Sequence, residues 1–285
     1  REESAVEDFM ASLPYTLTRA QLRVWQEIAG DLKSPVVMNR LVQGDVGSGK
    51  TMIAALAMFA AASAGFQSCM MAPTEVLAKQ HYENLQALFE PFHITTVLLT
   101  GSMTASVKRK VYNKIDNHEA DVIIGTQALF QEKAVYDKLA LIVTDEQHRF
   151  GVEQRKALKD KGNKVDFLVM TATPIPRTLA ISLYGDMDVS TIKTLPNGRK
   201  KVITKFIKGT SMKPILKDLK DYLLKGGQCY VVCPLVNESE AITGRNASDI
   251  SKAMAQYFKG QYEVGLVHGQ MSDEEKNKIM NAFKE

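Results

Sequence analysis

The sequence has few of the features that mark membrane proteins or disulfide-rich proteins. Its 285 residues include only three cysteines, nine prolines and one tryptophan. No apolar run approaches the roughly 20 residues that a helix needs to cross a bilayer, and the first residues do not match a signal peptide. We therefore expect no membrane association. The low cysteine count favours a reducing compartment, so we expect a cytoplasmic location.

The cysteine spacing also argues against a structural zinc site. Cys229 and Cys233 lie four positions apart within an apolar segment, Gln-Cys-Tyr-Val-Val-Cys-Pro. We would expect a structural zinc site to have two cysteines closer together in the sequence, with further His or Cys ligands elsewhere. We expect both side chains to be buried residues of a strand.

The bulk composition is that of a globular protein. Hydrophobic residues make up 45% of the chain and charged residues 24%, which excludes a disordered chain. The length is enough for about two ordinary domains. A net charge of +4 permits a polyanionic partner such as nucleic acid but does not require one.

Apolar runs alternate with helical patterns through the first two thirds of the chain. Most of these runs are apolar throughout instead of alternating, as expected for parallel strands that are covered on both faces. The pattern predicts an α/β fold with a doubly wound parallel sheet. We expect strands at 40–43, 68–72, 95–99, 122–125, 140–144 and 167–171, and helices at 51–64, 75–89, 105–117 and 154–160.

A basic, turn-rich segment at 194–201 interrupts the pattern and is predicted to be a linker. The alternation then restarts and provides three further strand–helix units, too few for a second complete domain of this kind. We expect strands at 202–207, 228–233 and 263–267, and helices at 212–224, 248–258 and 273–283.

Residues 44–51 read Gly-Asp-Val-Gly-Ser-Gly-Lys-Thr and satisfy the phosphate-loop pattern G-x-x-x-x-G-K-[ST] in full. The glycines let backbone amides surround phosphate oxygens, the lysine adds a positive charge, and the threonine hydroxyl suits Mg²⁺. The alternative, a glycine-rich structural turn, does not explain the strand before the motif or the helix after it. We assign ATP binding to Gly44, Gly47, Ser48, Gly49, Lys50 and Thr51.

Two adjacent acids, Asp145 and Glu146, follow the apolar run 139–144. Ligands of such sheets bind at the carboxyl ends of the strands, beside the phosphate loop. Asp145 would hold Mg²⁺ together with Thr51, and Glu146 would orient or deprotonate the attacking water. Acids at a strand end are a weak signal alone, but the upstream phosphate loop strengthens it.

With Gln147 and His148 the acids complete Asp-Glu-Gln-His, and here the chain resembles the superfamily 2 helicases, specifically the RecG-type DNA helicases. The resemblance implies two RecA-like domains, an ATP and Mg²⁺ requirement, and branched double-stranded DNA as partner. It implies catalytic roles for Lys50, Asp145, Glu146 and His148, and an adenine contact for Gln21.

Further segments along the chain are similar to the motifs of that family. The segment Thr-Ala-Thr-Pro-Ile-Pro-Arg at 171–177 resembles the one that couples nucleotide state to DNA, which implies coupling roles for Thr171 and Thr173. His148 would face this segment. The resemblance implies DNA contacts for Thr74, Gly101, Thr126, Gln127, His268 and Gly269.

Simpler interpretations remain open for several of these residues. Thr126 and Gln127 could cap the next helix, and Thr74 could end a strand and start a helix. For Trp25, we expect a role in packing instead of base stacking. No catalytic role is expected for His81, His93 or His118.

The resemblance also predicts the domain organisation. The family's later arginine-bearing segment and its N-terminal wedge domain have no counterpart here, so we expect a fragment that hydrolyses ATP weakly, and a monomer. Rival functions are a transcription-repair coupling translocase, a nucleotide-gated DNA-binding module and, less favoured, an RNA helicase. We predict a connection at 1–17, a first RecA-like domain at 18–193, the linker at 194–201 and part of a second RecA-like domain at 202–285.

Overall fold

The chain folds into two compact units, Arg1–Val202 and Ile203–Glu285. The structure, a computed structural model, describes residues 2–145, 164–176, 178–179, 182, 187–193, 200–209, 211–234 and 246–285. Within these ranges no helix is both long enough and apolar enough to cross a bilayer.

A seven-stranded sheet forms the centre of the first unit. Every strand pair in it is parallel, and the strands follow the order β3-β4-β2-β5-β6-β1-β7. The predicted doubly wound parallel sheet is therefore confirmed. The strands are β1 (Asn39–Gly44), β2 (Gln67–Met71), β3 (Thr96–Leu99), β4 (Val122–Gly125), β5 (Leu139–Asp145), β6 (Asp166–Thr171) and β7 (Asp188–Ile192).

Helices connect these strands, and three of them begin at a threonine. The hydroxyls of Thr18, Thr74 and Thr104 each accept a backbone N–H three residues further on, which satisfies one of the free donors in the first turn. The helices are α1 (Glu2–Ser12), α2 (Arg19–Lys33), α3 (Lys50–Ser63), α4 (Glu75–Phe89) and α5 (Ala105–Asp116), with short 3₁₀ turns at Glu90–Phe92 and Gln127–Phe130.

Successive residues of a strand pack in two hydrophobic layers on opposite faces of the sheet. Val42 packs with the layer that contains α1 to α4, whereas Leu41 packs with the layer that contains Ile115 of α5. Helix α1 is part of the first layer, since the fully buried ring of Phe9 stacks on Phe59 with centroids 4.3 Å apart. Residues 1–17 remain a predicted connection, but their helix contributes to this core.

The second unit contains three helices in its described residues. Ser272 and Glu275 form a reciprocal capping box at one of them, and the side chain of Asn246 caps another. These helices are α6 (Lys213–Leu224), α7 (Ala247–Tyr257) and α8 (Asp273–Lys284). They agree with the predicted helices to within a residue at each end.

The strands predicted for the second part are wrong for this structure. None of the described residues at 202–207, 228–233 or 263–267 belongs to a strand. Phe206 and Val232 are 85% and 93% exposed, and Cys229, predicted to be buried, is exposed as well. A parallel strand obtains its ladder bonds only from neighbouring strands, and the described residues of these three segments form no ladder.

In the first unit the predicted elements match closely, with two omissions. β4 and α4 have the expected limits, and the five other predicted strands differ by a residue at one or both ends. The sequence analysis missed β7 and α1. The predicted helix at 154–160 lies outside the described residues, and the predicted domain limits remain predictions.

Candidate functional site

The phosphate-loop motif forms the turn between β1 and α3. Gly47 and Gly49 have φ angles of 79° and 86°, in the left-handed region that glycine adopts readily. The backbone N–H of Ser48 donates to the carbonyl of Asp45 at 2.9 Å, which closes the turn. Helix α3 then begins at Lys50 without a side-chain cap, so its N-terminal amides are suited to bind an anion.

The glycines of this loop also allow close approach by other groups. A β-carbon at Gly44 would collide with the hydroxyl of Ser48, and one at Gly49 would collide with the side-chain amide of Gln21. Substitution at either position would therefore force the neighbouring side chain to move. At Gly49 it would also strain the left-handed backbone.

Lys50 supplies the positive charge of the loop. Its side chain is 9% exposed, and its ammonium donates to the carbonyls of Gly44 and, at 3.4 Å, Asp45. The hydroxyl of Ser48 is buried and has no hydrogen-bond partner among the described residues. A buried ammonium, an unpaired hydroxyl and an open helix N-terminus together fit a bound phosphate chain.

Gln21 joins helix α2 to the phosphate loop. Its side-chain oxygen accepts the N–H of Thr18 at 2.9 Å, and its amide nitrogen donates to the carbonyl of Ser48 at 2.7 Å. Both ends of the amide are therefore engaged within the protein. The predicted contact of Gln21 with adenine stays a prediction.

Asp145 lies at the carboxyl end of β5, on the same edge of the sheet as the phosphate loop. The register pairs Gln43 of β1 with Thr171 of β6, and Met170 of β6 with Asp145. The ends of β1, β6 and β5 are consequently adjacent. The Asp145 carboxylate contacts His81 of α4, with Nε2 and Oδ2 2.6 Å apart. Glu146 and His148 lie outside the described residues, so their predicted roles remain predictions.

The predicted coupling segment is attached to the strand that precedes the phosphate loop. Gln43 donates to the carbonyl of Ile175 at 3.1 Å and accepts the Ile175 N–H at 3.3 Å. The hydroxyl of Thr171 accepts the N–H of Thr173 at 3.1 Å. Gln43 could not be predicted from the sequence, because a glutamine in an apolar strand has no signature until its partner is known.

Four of the six predicted DNA contacts come together at the carboxyl ends of β2, β3 and β4. They line a cleft of about 570 Å³, which we call the edge cleft. The residues that line it are Pro73, Thr74, Glu75, Gly101, Thr126, Gln127, Ala128 and Gln131. The structure thus places these four residues on one surface; their binding of DNA stays a prediction.

The two threonines of the edge cleft differ in their local roles. Thr74 caps α4 by accepting the N–H of Leu77 at 3.2 Å, so the simpler interpretation holds for its hydroxyl. Thr126 precedes the 3₁₀ turn, but its hydroxyl forms no capping bond. The hydroxyl of Thr126 is thus not used for a helix cap.

The remaining two predicted DNA contacts belong to the second unit. His268 and Gly269 lie in the turn that precedes α8. The Nδ1 atom of His268 accepts the N–H of Gln270 at 3.3 Å, and Gly269 is exposed. Their assignment to DNA binding remains a prediction.

A parallel sheet with a phosphate loop, an acidic strand end and a coupling segment along one edge defines a RecA-like nucleotide-binding domain. The model of the family described as "DEAD/DEAH box helicase" matches residues 18–181. The chain belongs to this family.

Within it, the chain is similar to curated ATP-dependent DNA helicases called RecG. It is 53% identical over 274 residues to RecG of Streptococcus pneumoniae and 46% identical over 275 residues to RecG of Bacillus subtilis. In each case the match covers 96% of this chain and 40% of the relative.

A solved structure supports the same similarity. The structure of RecG bound to a three-way DNA junction aligns with a TM-score of 0.77 and 41% sequence identity, over 99% of this chain and 36% of that one. The predicted resemblance to RecG-type helicases is confirmed. The chain spans about two fifths of the length of the curated relatives.

Proposed function

We propose that this chain is the ATP-binding motor portion of a DNA helicase or translocase that acts on branched, double-stranded DNA. The observation that carries the proposal is the arrangement of one sheet edge. The phosphate loop, the coupling segment and Asp145 lie on β1, β6 and β5, and the edge cleft continues along β2, β4 and β3. The similarity to RecG proteins gives the nucleic acid its class.

The nucleotide part of the proposal assigns ATP and Mg²⁺ to the phosphate loop. Lys50 and the N-terminal amides of α3 would bind the phosphates, while Thr51 and Asp145 would hold the metal. Mg²⁺ suits such a site, because it is usually held by one or two carboxylates together with substrate phosphates and water. The described residues contain no cluster of three metal-binding side chains, and this kind of site does not need one.

The DNA part of the proposal assigns backbone contacts to the edge cleft. Gly101 has no side chain, and Thr126 has a hydroxyl that forms no capping bond. A small residue and a hydroxyl suit phosphate contacts that do not read the base sequence. Binding that follows DNA shape is what a motor that moves along any sequence requires. We further propose that the chain acts as a monomer in the cytoplasm.

The coupling part of the proposal depends on Gln43 and Thr171. Both belong to strands that border the phosphate loop, and Gln43 holds the segment around Ile175 through two hydrogen bonds. A change in the loop on nucleotide binding would therefore reach this segment directly. Switching elements of this kind work through two packed arrangements of adjoining segments.

Titration of a fluorescent ATP analogue in the presence of Mg²⁺ tests the nucleotide assignment. Lys50→Ala should weaken binding severely, because it removes the main charge on the phosphates. Lys114→Ala, an exposed lysine of α5, is the matched control and should bind like the wild type. Equal affinities for all three proteins would reject the phosphate-loop assignment.

A second experiment separates binding from hydrolysis. Glu146→Gln should bind ATP normally and suppress turnover, because an amide cannot accept the proton of the attacking water. ATPase activity measured with and without a synthetic three-way junction should be low for this chain and respond little to DNA. Strong junction-stimulated hydrolysis would contradict the expectation of weak hydrolysis.

A further inference from the structure

A histidine of α4 contacts the carboxylate that ends β5. His81 Nε2 and Asp145 Oδ2 are 2.6 Å apart, and each side chain is 13% exposed. An ionised carboxylate only accepts hydrogen bonds, so the imidazole N–H is the donor. The distance is short even for a nitrogen–oxygen hydrogen bond to a charged acceptor.

Helix α4 holds His81 in place. Ala78 and Leu85, three residues before it and four after it, are fully buried in the core. At the start of the helix, Glu75 accepts hydrogen bonds from the backbone and the hydroxyl of Ser102, at 2.9 and 2.5 Å. A side chain on an element anchored in this way can fix the orientation of its partner.

We propose that His81 is a positioning residue for the metal-ligating carboxylate of Asp145. The inference rests on the proposed binding of ATP and Mg²⁺. By holding Oδ2, the imidazole would restrict rotation of the carboxylate and present it to the metal in one orientation. The loss of a hydrogen bond to a metal-ligating side chain typically costs about 10- to 100-fold in metal affinity.

Helix α4 also carries residues of the edge cleft. Thr74 and Glu75, at the start of the helix, line the edge cleft, and His81 lies two turns further along. One helix thus carries residues of the proposed DNA surface and a residue that contacts the proposed metal ligand. A movement of α4 on DNA binding would therefore also move His81.

The test is a Mg²⁺ titration of nucleotide binding by the 285-residue chain. A fluorescent ATP analogue would be titrated in EDTA and at increasing Mg²⁺ concentrations. His81→Leu should bind like the wild type in EDTA but need about 10- to 100-fold more Mg²⁺ to reach the high-affinity state. His81→Gln, whose amide can still donate to Oδ2, should restore a midpoint close to that of the wild type.

A second histidine–carboxylate pair provides the matched control. His118 Nδ1 lies 2.9 Å from Asp137 Oδ2, and asparagine tolerates its left-handed backbone. His118→Asn should leave the Mg²⁺ midpoint unchanged.

Two results would overturn the inference. In one, the Mg²⁺ curve of His81→Leu coincides with that of the wild type. In the other, both His81 variants lose affinity equally with and without Mg²⁺, which would make the residue structural. Lys50→Ala distinguishes these failures from a failure of the proposed function. If the Lys50→Ala variant binds the nucleotide as well as the wild type does, the ATP site itself is rejected.

Discussion

The two units show what the same sequence pattern does with and without strand partners. In the first unit, apolar runs such as Val122–Gly125 are paired on both sides and buried. In the second, residues 228–233 have an equally apolar pattern but form no strand, and Val232 is 93% exposed. Apolar composition is therefore not sufficient for a parallel strand.

The helices do not differ between the units in this way. Thr74 caps α4 in the first unit and Ser272 caps α8 in the second, each through its hydroxyl and the N–H of the third residue of the helix. Caps and helical hydrogen bonds join residues that are close in the sequence. Helices are thus encoded locally, whereas parallel strands depend on segments far along the chain.

Amide hydrogen exchange should show the largest difference between the units. Amides of β2 and β4 lie in ladders and should exchange only through large-scale opening, while those at 229–233 should exchange nearly freely. With an opening free energy of about 5 kcal/mol, protection would differ by more than about three orders of magnitude. Similar protection in the two segments would contradict the comparison.

Gln67→Leu should strongly destabilise the first unit. The fully buried side chain of Gln67 donates to the carbonyls of Ile115 and Ala120 and accepts the N–H groups of Asp137 and Lys138. Its loss removes four hydrogen bonds at a fully buried position, although the Ile115 carbonyl keeps the N–H of His118. We expect a cost of about 3–5 kcal/mol. Chemical denaturation followed by far-ultraviolet circular dichroism, to which the helices of both units contribute, would measure this change.

The same substitution in the second unit is the control. Gln228 is exposed and donates to the carbonyl of Phe283. Gln228→Leu should change stability by less than about 0.5 kcal/mol. Equal effects of the two substitutions would show that burial is not what separates the units.

Arg40→Met should have the next largest effect. Arg40 is 11% exposed and binds Asp31 at 2.6 Å and Glu27 at 3.3 Å. Its removal leaves the partly buried Asp31 carboxylate without its cation, while Glu27 keeps the Ser190 hydroxyl and the nearby Arg23. The loss should cost about 2–3 kcal/mol. In the exposed pair of the second unit, Lys205→Met should give no measurable change in a parallel denaturation.

Asp166→Asn should give the smallest effect, one that depends on pH. Burial raises the pKa of the Asp166 carboxyl above its ordinary value of 3.8, against the opposing hydrogen bond from the Met38 N–H. Because the folded pKa is the higher one, stability from this group is present below pH 3.8 and is lost as the pH rises through the folded pKa. The asparagine variant should therefore gain stability over the wild type as the pH rises above 3.8.

Asp218 of the second unit is the control of opposite sign. The hydrogen bond from Lys205 lowers the pKa of the Asp218 carboxyl, so its contribution is present above the ordinary pKa and is lost as the pH falls. Asp218→Asn should become less stable than the wild type, not more, as the pH rises. Its full exposure should keep this effect small. Parallel pH slopes for the two asparagine variants would contradict both assignments.

The sequence was sufficient to predict elements that have a strong local pattern. It predicted the limits of β4 and α4, and it placed the phosphate loop between a strand and a helix. It missed β7, Asp188–Ile192, because this strand mixes polar and apolar residues and, within the described part of the chain, pairs with β1 alone. It also missed α1, whose burial depends on contacts of Phe9 with distant rings.

The candidate site shows the same limit. Motif residues such as Lys50 and Asp145 could be named from the sequence, because each motif is a short continuous segment. Gln43 and His81 could not, since their partners Ile175 and Asp145 lie 132 and 64 residues away. Neither side chain has a recognisable pattern around it.

A footprint by amide hydrogen exchange would test most directly whether one sheet edge carries both sites. A non-hydrolysable ATP analogue with Mg²⁺ should protect the loop at 44–51 and the segment around Thr171. A three-way DNA junction should protect amides at 73–75, 101 and 126–131. Lys50→Ala should lose the first footprint and keep the second. Protection by either ligand at the opposite ends of these strands, or at no site in the first unit, would contradict the account.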